Sequence, residues 1–294
     1  MWGDFRELTD SKSLESYLLN RQYEHSQYCH YTNLAAIDNI LGENEFWLGN
    51  VKRFNDKKDS EQFIDSPELY YSICFSTGVT ENLSLWYMYA GMDGHGGRVR
   101  LSKGAIKELI NNAVFTLWER ENNKKVKEII TLELGKTVEL QFKDVLYYKS
   151  NLEKTNCDLK YNTMTNYRIS NSEFNKYKGH NPGFVKGLIW YYEKETRLLL
   201  KVVGKAATMI DKSKEYLITM SIPAKTHKGM KIDFAPEITE EMIDCVVDQH
   251  CNIKKFMRKS SAVQLSKYQG TLKMNLCEKC NKCATCEKNK SEVN

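Results

Sequence analysis

The chain has 294 residues, of which 41% are hydrophobic and 28% charged, a globular rather than a disordered composition, and its four prolines exclude long proline-rich linkers. No apolar run approaches the roughly 20 residues that cross a bilayer, and the charged N-terminus, Met1 to Glu7, has no signal-peptide apolar stretch. These features predict a cytoplasmic protein with no membrane partner. Net charge is +5 but unevenly spread: from Lys254 to Asn294 ten Lys or Arg face three Glu, so this segment carries +7 and the remainder −2.

In chain order, Leu14, Tyr17, Leu18 and Leu19 predict a first helix. Tyr28 to Tyr31 read as a short strand. Thr32 or Asn33 then caps a helix with Leu34, Ile37 and Leu41 on its apolar side, ended by Gly42. Phe46-Trp47-Leu48 is a second short strand, and Arg53 to Ser60 a loop. Leu69 to Thr77 is a strand with Tyr71, Ile73 and Phe75 on one side and Ser72, Cys74 and Ser76 on the other. Thr80 caps a helix carrying Leu83, Trp86 and Tyr89 and closed by Gly91. A turn at Gly94 to Gly97 leads into a strand over Arg98 to Leu101.

Ser102 caps a long helix with Ile106, Ile110, Ala113 and Leu117 in register, and Glu119 to Lys127 is too polar for core. Thr137 to Tyr148 predict one or two strands. Residues 150–180 are loop-rich, with a helix leading toward Ile189. Trp190 to Val203 is the longest strand signal, and Tyr216 to Ile222 is a further strand stopped by Pro223. Ile238 to Phe256 contains a helix with Met242, Val246 and Val247 on its apolar side. Strands irregularly interspersed with helices predict an α+β fold with mixed, mainly antiparallel sheets and flanking helices, over a single domain at residues 1–262. Residues 263–294 form a basic, Cys-rich tail.

The chemistry-bearing residues arrive as short groups. His30 and Thr32 share one face of a strand and form a donor pair for a ribose or phosphate, or His30 satisfies a backbone carbonyl. Ser76 ends its strand on the polar side; with no G-x-S-x-G setting it is not read as a hydrolase nucleophile. Trp86 and Tyr89 suit core packing, and Tyr87 points elsewhere on the helix, toward stacking on a flat ring. Asn55-Asp56 is a turn or a helix cap, or a loop fixed over a cleft.

Glu193, Glu195 and Arg197 line up on one strand face. They form a salt-bridge ladder, or a site in which one carboxylate stabilises positive charge on an anomeric carbon and the other accepts a proton. Arg197 would orient a carboxylate or hold a phosphate. Cys277, Cys280, Cys283 and Cys286 have metal-ligand spacing for zinc or an iron–sulfur cluster but are crowded into ten residues; the other reading is a redox-prone tail.

The order His30-Tyr31-Thr32, an apolar helix, Trp47-Leu48, Asn55-Asp56, Cys74-Phe75-Ser76, Trp86 to Tyr89 and Glu193 to Arg197, ending near Ser260-Ser261-Ala262, resembles a widespread bacterial domain family of unknown function over Tyr28 to Ser261. A looser similarity is to ADP-ribosyltransferases, and it implies their split sheet and NAD as substrate. On that likeness His30, with Tyr31 and Thr32, binds a ribose of NAD. Ser76 and Thr77, or Tyr87 and Tyr89, hold and stack the nicotinamide ribose and ring. Glu195 stabilises the oxocarbenium-like transition state, and Glu193 positions the acceptor. Glu-x-Glu members of that family usually begin with Arg rather than His, and the Tyr spacing of the toxin subgroup is not matched. The likeness implies a toxin or antiphage effector modifying a macromolecule, protein or nucleic acid. The alternative is a non-catalytic nucleic-acid-binding module acting through the basic tail. A sugar or nucleotide hydrolase ranks last, because two carboxylates side by side on one strand do not flank a scissile bond.

Overall fold

The computed structural model describes residues 10–20, 23–63, 66–77, 81–90, 96–148, 159–161, 166–168, 171–236, 238–239, 241–242 and 257–259. Helix α1 spans Ser11–Asn20, strand β1 Gln27–Asn33, α2 Leu34–Glu43, β2 Glu45–Asn50, the single turn α3 Lys57–Ser60, β3 Tyr70–Ser76, α4 Leu83–Tyr89, β4 Gly96–Ser102 and α5 Lys103–Asn112. Then come β5 (Phe115–Glu121), β6 (Lys124–Leu132), β7 (Val138–Asp144), β8 (Leu146–Tyr148), β9 (Leu159–Tyr161), β10 (Asn166–Arg168), α6 (Asn171–His180) and β11 (Val185–Gly187). The last described elements are β12 (Glu195–Val202), α7 (Gly204–Ala207), β13 (Glu215–Ser221), β14 (Met230–Phe234) and β15 (Met257–Lys259). The fold is α+β, with mainly antiparallel strands.

Among the described residues there is an 11-stranded sheet and a smaller one in the order β10-β9-β8-β11. The large sheet forks at β3. One edge of β3 pairs with β12 along its length, from Glu195 opposite Ser76 to Lys201 opposite Tyr70, and β12 pairs in turn with β7. The other edge serves two strands. Gly49 and Asn50 of β2 pair with Ser72 and Tyr71, and Cys29 of β1 pairs with Ser76. From there β1 leads through β4 and β14 to β15, while β2 leads through β13 and β5 to β6. Between the two contacts the edge of β3 at Ile73 to Phe75 pairs with neither strand.

One face of this forked sheet is the core. Tyr28, Phe46, Leu48, Ile73, Phe75, Phe142 and Leu198 bury there against Ile37 and Leu41 of α2 and Ile106 and Leu109 of α5. Strand alternation sends the intervening residues Cys29, Tyr31, Trp47, Gly49, Ser72, Cys74, Ser76, Glu195 and Arg197 to the opposite face. Local signals place the helices. Asn33 caps α2 by accepting from the Ala36 amide, and Ser102 caps α5 by accepting from the Ala105 amide.

Three expectations are corrected by tertiary pairing. Helix α2 runs past Gly42 and ends on Asn44 in the left-handed conformation (φ 55°). Helix α5 stops at Asn112, because Phe115 and Leu117 alternate with Thr116 and Trp118 and bury as strand β5 against β13. The polar stretch after it is the β5–β6 hairpin, turning on Asn122 (φ 47°) and Asn123 (φ 62°), the left-handed pair that a two-residue hairpin needs. Helix α4 is capped by Asn82, whose side chain accepts from the Ser84 amide. Thr80 and Gly91 lie outside the described residues, as do residues 243–256 of the expected late helix.

Gly96 begins β4 where its Cα hydrogens face two carbonyls: a Cβ there would lie 2.1 Å from the Ala90 oxygen and 2.2 Å from that of Thr32. Both obstacles are backbone, so neither can swing aside. Gly96→Ala is expected to lower stability by about 1–3 kcal/mol, read as a lower urea midpoint at unchanged m-value.

Candidate functional site

A cavity of about 390 Å³ opens on the solvent side of the fork, within the size range of small-molecule sites. Its floor is Cys29 to Thr32 of β1, Gly49 and Asn50 of β2 and Ser72 to Ser76 of β3. Leu85 and Tyr89 of α4 form one wall. Phe54, Asn55, Asp56 and Asp59 form another, and Lys186, Glu193, Glu195 and Arg197 close the end.

Of the residues picked from sequence, His30, Tyr31, Thr32, Ser76, Tyr89, Glu193, Glu195 and Arg197 line this one cavity. Thr77 and Tyr87 do not. Thr77 donates from both its amide and its hydroxyl to the Lys194 carbonyl, each at 2.9 Å, and so clamps the end of β3 to the turn before β12. Tyr87 stands on the outer side of α4 and is 38% exposed. Leu85 and Tyr89, four apart, carry the cavity face of that helix, and Trp86 packs edge-on to Tyr31 with ring centroids 4.9 Å apart.

The carboxylate pair differs from the expected ladder. Leu188–Glu193 is a 3₁₀ turn rather than the start of a strand, Lys194 is left-handed (φ 45°), and β12 begins only at Glu195. Glu193 therefore approaches from the turn, while Glu195 and Arg197 share a strand face. The three join a buried chain of alternating charge. Arg197 donates from Nη1 and Nη2 to the two carboxylate oxygens of Asp59 at 3.0 and 2.8 Å, and from Nε to Glu195 at 2.8 Å. Lys186 Nζ lies 2.6 Å from Glu193 and 3.5 Å from Glu195. Tyr89 donates its phenol to the other Glu193 oxygen at 2.6 Å. Arg197, Asp59, Glu195, Glu193 and Lys186 are between 1 and 7% exposed. The Arg197 guanidinium also lies 4.6 Å from the Phe54 ring, and Lys186 Nζ 4.7 Å from that of Trp190.

This geometry drives the two carboxyls apart. Burial pushes Glu195 up, but Arg197 and then Lys186, with the Arg197 and Cys74 hydrogen bonds, bring it down to about 2. Burial and the Glu195 charge raise Glu193 above its ordinary value, despite Lys186. One acid is thus held ionised while its neighbour holds a proton more readily, the division of labour that acid–base chemistry uses. Cys74, beside Glu195, is pushed up by burial and by that charge and is no thiolate nucleophile.

His30 takes the reading in which it satisfies a backbone carbonyl. Alternation places it on the core side of β1, yet the unpaired stretch of β3 lets its ring reach across, where Nδ1 donates to the Cys74 carbonyl at 2.9 Å. Burial lowers its proton affinity against that bond, so the ring is neutral at pH 7. With Nδ1 carrying the proton, Nε2 is an acceptor. Register sets the backbone separation of the strands that carry His30 and Glu195: Cys29 opposes Ser76 and Ser76 opposes Glu195, so residues 29 and 195 stand two strand spacings apart, about 10 Å.

The limb that carries β1 is braced from behind. Arg98 donates to Asp233 at 2.7 Å and to the Tyr31 hydroxyl at 3.0 Å, and Arg100 Nε lies 2.8 Å from Asp233. Helix α4 is tied to the turn by the Asn82 side-chain amide, 2.7 Å from the Tyr192 carbonyl. Asp56 caps α3 by accepting from the Lys58 amide.

Sequence reading missed Lys186, Asp59, Trp47, Gly49 and Arg53. Asp59 sits in a polar stretch and Lys186 alone within the apolar run Phe184 to Trp190, neither with a motif of its own. Among the described residues no cluster of three or more His, Cys, Asp or Glu is arranged for a metal, and the four tail cysteines lie outside them. No described helix is long and apolar enough to cross a membrane. No family model, curated protein or solved structure matches the chain.

Two outcomes follow from the buried charges. Arg197→Met leaves Asp59 without its cation and Glu195 with Lys186 alone, and is expected to cost about 3–5 kcal/mol of unfolding free energy, read by chemical denaturation. Glu195, held at about 2 against an ordinary 4.5, contributes stability above the higher value and loses it as pH falls toward the lower. The stability of the native chain should therefore fall more steeply between pH 4.5 and 2 than that of Glu195→Gln, in parallel urea titrations.

Proposed function

We propose that the chain is an ADP-ribosyltransferase-like enzyme that binds NAD in this cavity and transfers ADP-ribose to a macromolecular acceptor. The observation that carries the reading is the meeting of His30, Tyr89, Glu193 and Glu195, from four separate elements, in one cavity at a fork of the sheet. The likeness in motif order and the forked strand pairing support it as well.

In this mechanism the bond between nicotinamide and the anomeric carbon breaks, and nicotinamide leaves with the electron pair. Positive charge grows on the ribose, and the ionised Glu195 stabilises it. Glu195 has acceptor capacity for this because a carboxylate offers about four lone-pair positions. His30 Nε2 accepts from a ribose hydroxyl, with Thr32 and Ser76 as further hydroxyl partners. The Tyr89 ring is the wall for the nicotinamide, its orientation held by its bond to Glu193. The acceptor nucleophile attacks the anomeric carbon and its proton passes to Glu193, the carboxylate of higher proton affinity.

Purified protein incubated with NAD is expected to release nicotinamide and to label a protein or nucleic acid with ADP-ribose. Glu195→Gln should reduce nicotinamide release by about 10²–10³-fold at unchanged NAD affinity. Glu193→Gln should reduce label transfer and remove the acid limb of its pH–rate profile. Absence of both nicotinamide release and labelling in the native chain would overturn the reading.

A further inference from the structure

Strand β2 gives the cavity a second compartment that the residues above leave unused. By alternation with the buried Phe46 and Leu48, Trp47 and Gly49 turn to the cavity face, and both line it, as does Arg53 just beyond the strand. Gly49 leaves a gap there. A Cβ built on it meets no atom within 4 Å, so the space above its backbone belongs to no side chain. Trp47 borders the gap with its ring direction set, since its indole N–H donates to Glu45 at 3.0 Å.

Arg53 borders it with a cation that can change partners. The other cavity-lining cations are committed: Arg197 to Asp59 and Glu195, Lys186 to Glu193 and Glu195. Arg53 instead holds Glu215 at 2.6 Å in a pair whose side chains are 44% and 59% exposed, the kind of ion pair that contributes little and exchanges readily. Arg120 stands opposite Glu215 in the strand register, and its buried Nε finds no hydrogen-bond partner. The Arg53 charge also lowers the proton affinity of Arg120, after burial. Glu215 thus pairs with one guanidinium while standing in the field of a second.

An open backbone floor between a fixed indole and an exchangeable guanidinium fits a flat ring joined to an anionic linker. We infer that Trp47, Gly49 and Arg53 form the subsite for the adenosine-pyrophosphate half of a dinucleotide, with the pyrophosphate on Arg53 and the adenine over Gly49 against Trp47. This assignment rests on the NAD reading and gives it a direction: nicotinamide lies toward Glu195 and adenine toward β2.

The test is calorimetric titration of ADP, and separately of NAD, into the native chain, Gly49→Val and Arg53→Gln, with nicotinamide release measured in parallel. Valine at 49 suits a strand and enters open space, so Gly49→Val should keep the melting temperature of the native chain. ADP is expected to bind the native chain and to compete with NAD. Each substitution should weaken ADP by at least about tenfold, as for one lost charge-assisted contact or a filled subsite. If NAD is bound and turned over while both variants keep native ADP and NAD affinity, the subsite is overturned and the enzyme reading stands. If ADP binds in a Gly49- and Arg53-dependent way without nicotinamide release, the subsite stands and the enzyme reading fails. Binding of neither ligand overturns both.

Discussion

The cavity depends on one buried guanidinium. Arg197 projects from the middle of the sheet, on strand β12, and holds Asp59 of α3 with two parallel hydrogen bonds and Glu195 with a third. Helix α3 and β12 are thereby drawn to one end of the fork, and Lys186, between Glu193 and Glu195, adds the 3₁₀ turn. A guanidinium suits this position because its planar array of donors serves several acceptors at once, which a lysine ammonium does less rigidly. Burying five charged side chains is tolerable only because each faces an opposite sign, and the chain ends on a phenol rather than a further ion. The arrangement leaves three acids against two bases, so the site keeps negative character.

The fork supplies the second constraint. A continuous sheet would send His30 into the core, on the side away from Glu195. Because β1 and β2 each take only part of the β3 edge, the imidazole crosses the gap and bonds the Cys74 carbonyl. The bond that makes this histidine look structural also fixes its tautomer: it places the proton on Nδ1 and leaves Nε2 as an acceptor. Likewise the bonds that make Glu193 and Glu195 a salt-bridge cluster are those that separate their proton affinities. At this site the contacts that hold the structure together are also those that set the protonation of its groups.

Much of the architecture is legible in residue patterns. The alternation in β3, the caps at Asn33 and Ser102, and the run ending at Pro223 all depend on contacts within a few residues, and local chemistry decides them. The boundaries that shift are those where long-range pairing competes with local preference. Leu117 continues a helical register, yet β13 offers it a strand partner. Trp190 to Glu193 look extended by composition, yet the left-handed Lys194 folds them into a 3₁₀ turn. Eight of the ten non-cysteine site residues chosen from sequence line one cavity, because they were taken from strand ends and helix faces, where a cleft draws its walls. Lys186, Asp59, Gly49 and Arg53 had no such mark: a single lysine or glycine becomes informative only once its neighbours in space are known.

By itself the sequence determined the fold class, the helix caps at Asn33 and Ser102, the alternation of β1 and β3, and the types of side chain available for chemistry. All of these follow from propensities and periodicities acting over a few residues. Only the tertiary structure decided that the sheet forks at β3, that Lys186 and Arg197 stand between the carboxylates, and that β2 leaves an open floor at Gly49. These depend on strand pairing and on ion pairs such as Asp59 with Arg197, 138 residues apart in the chain, and no local pattern encodes such a distance.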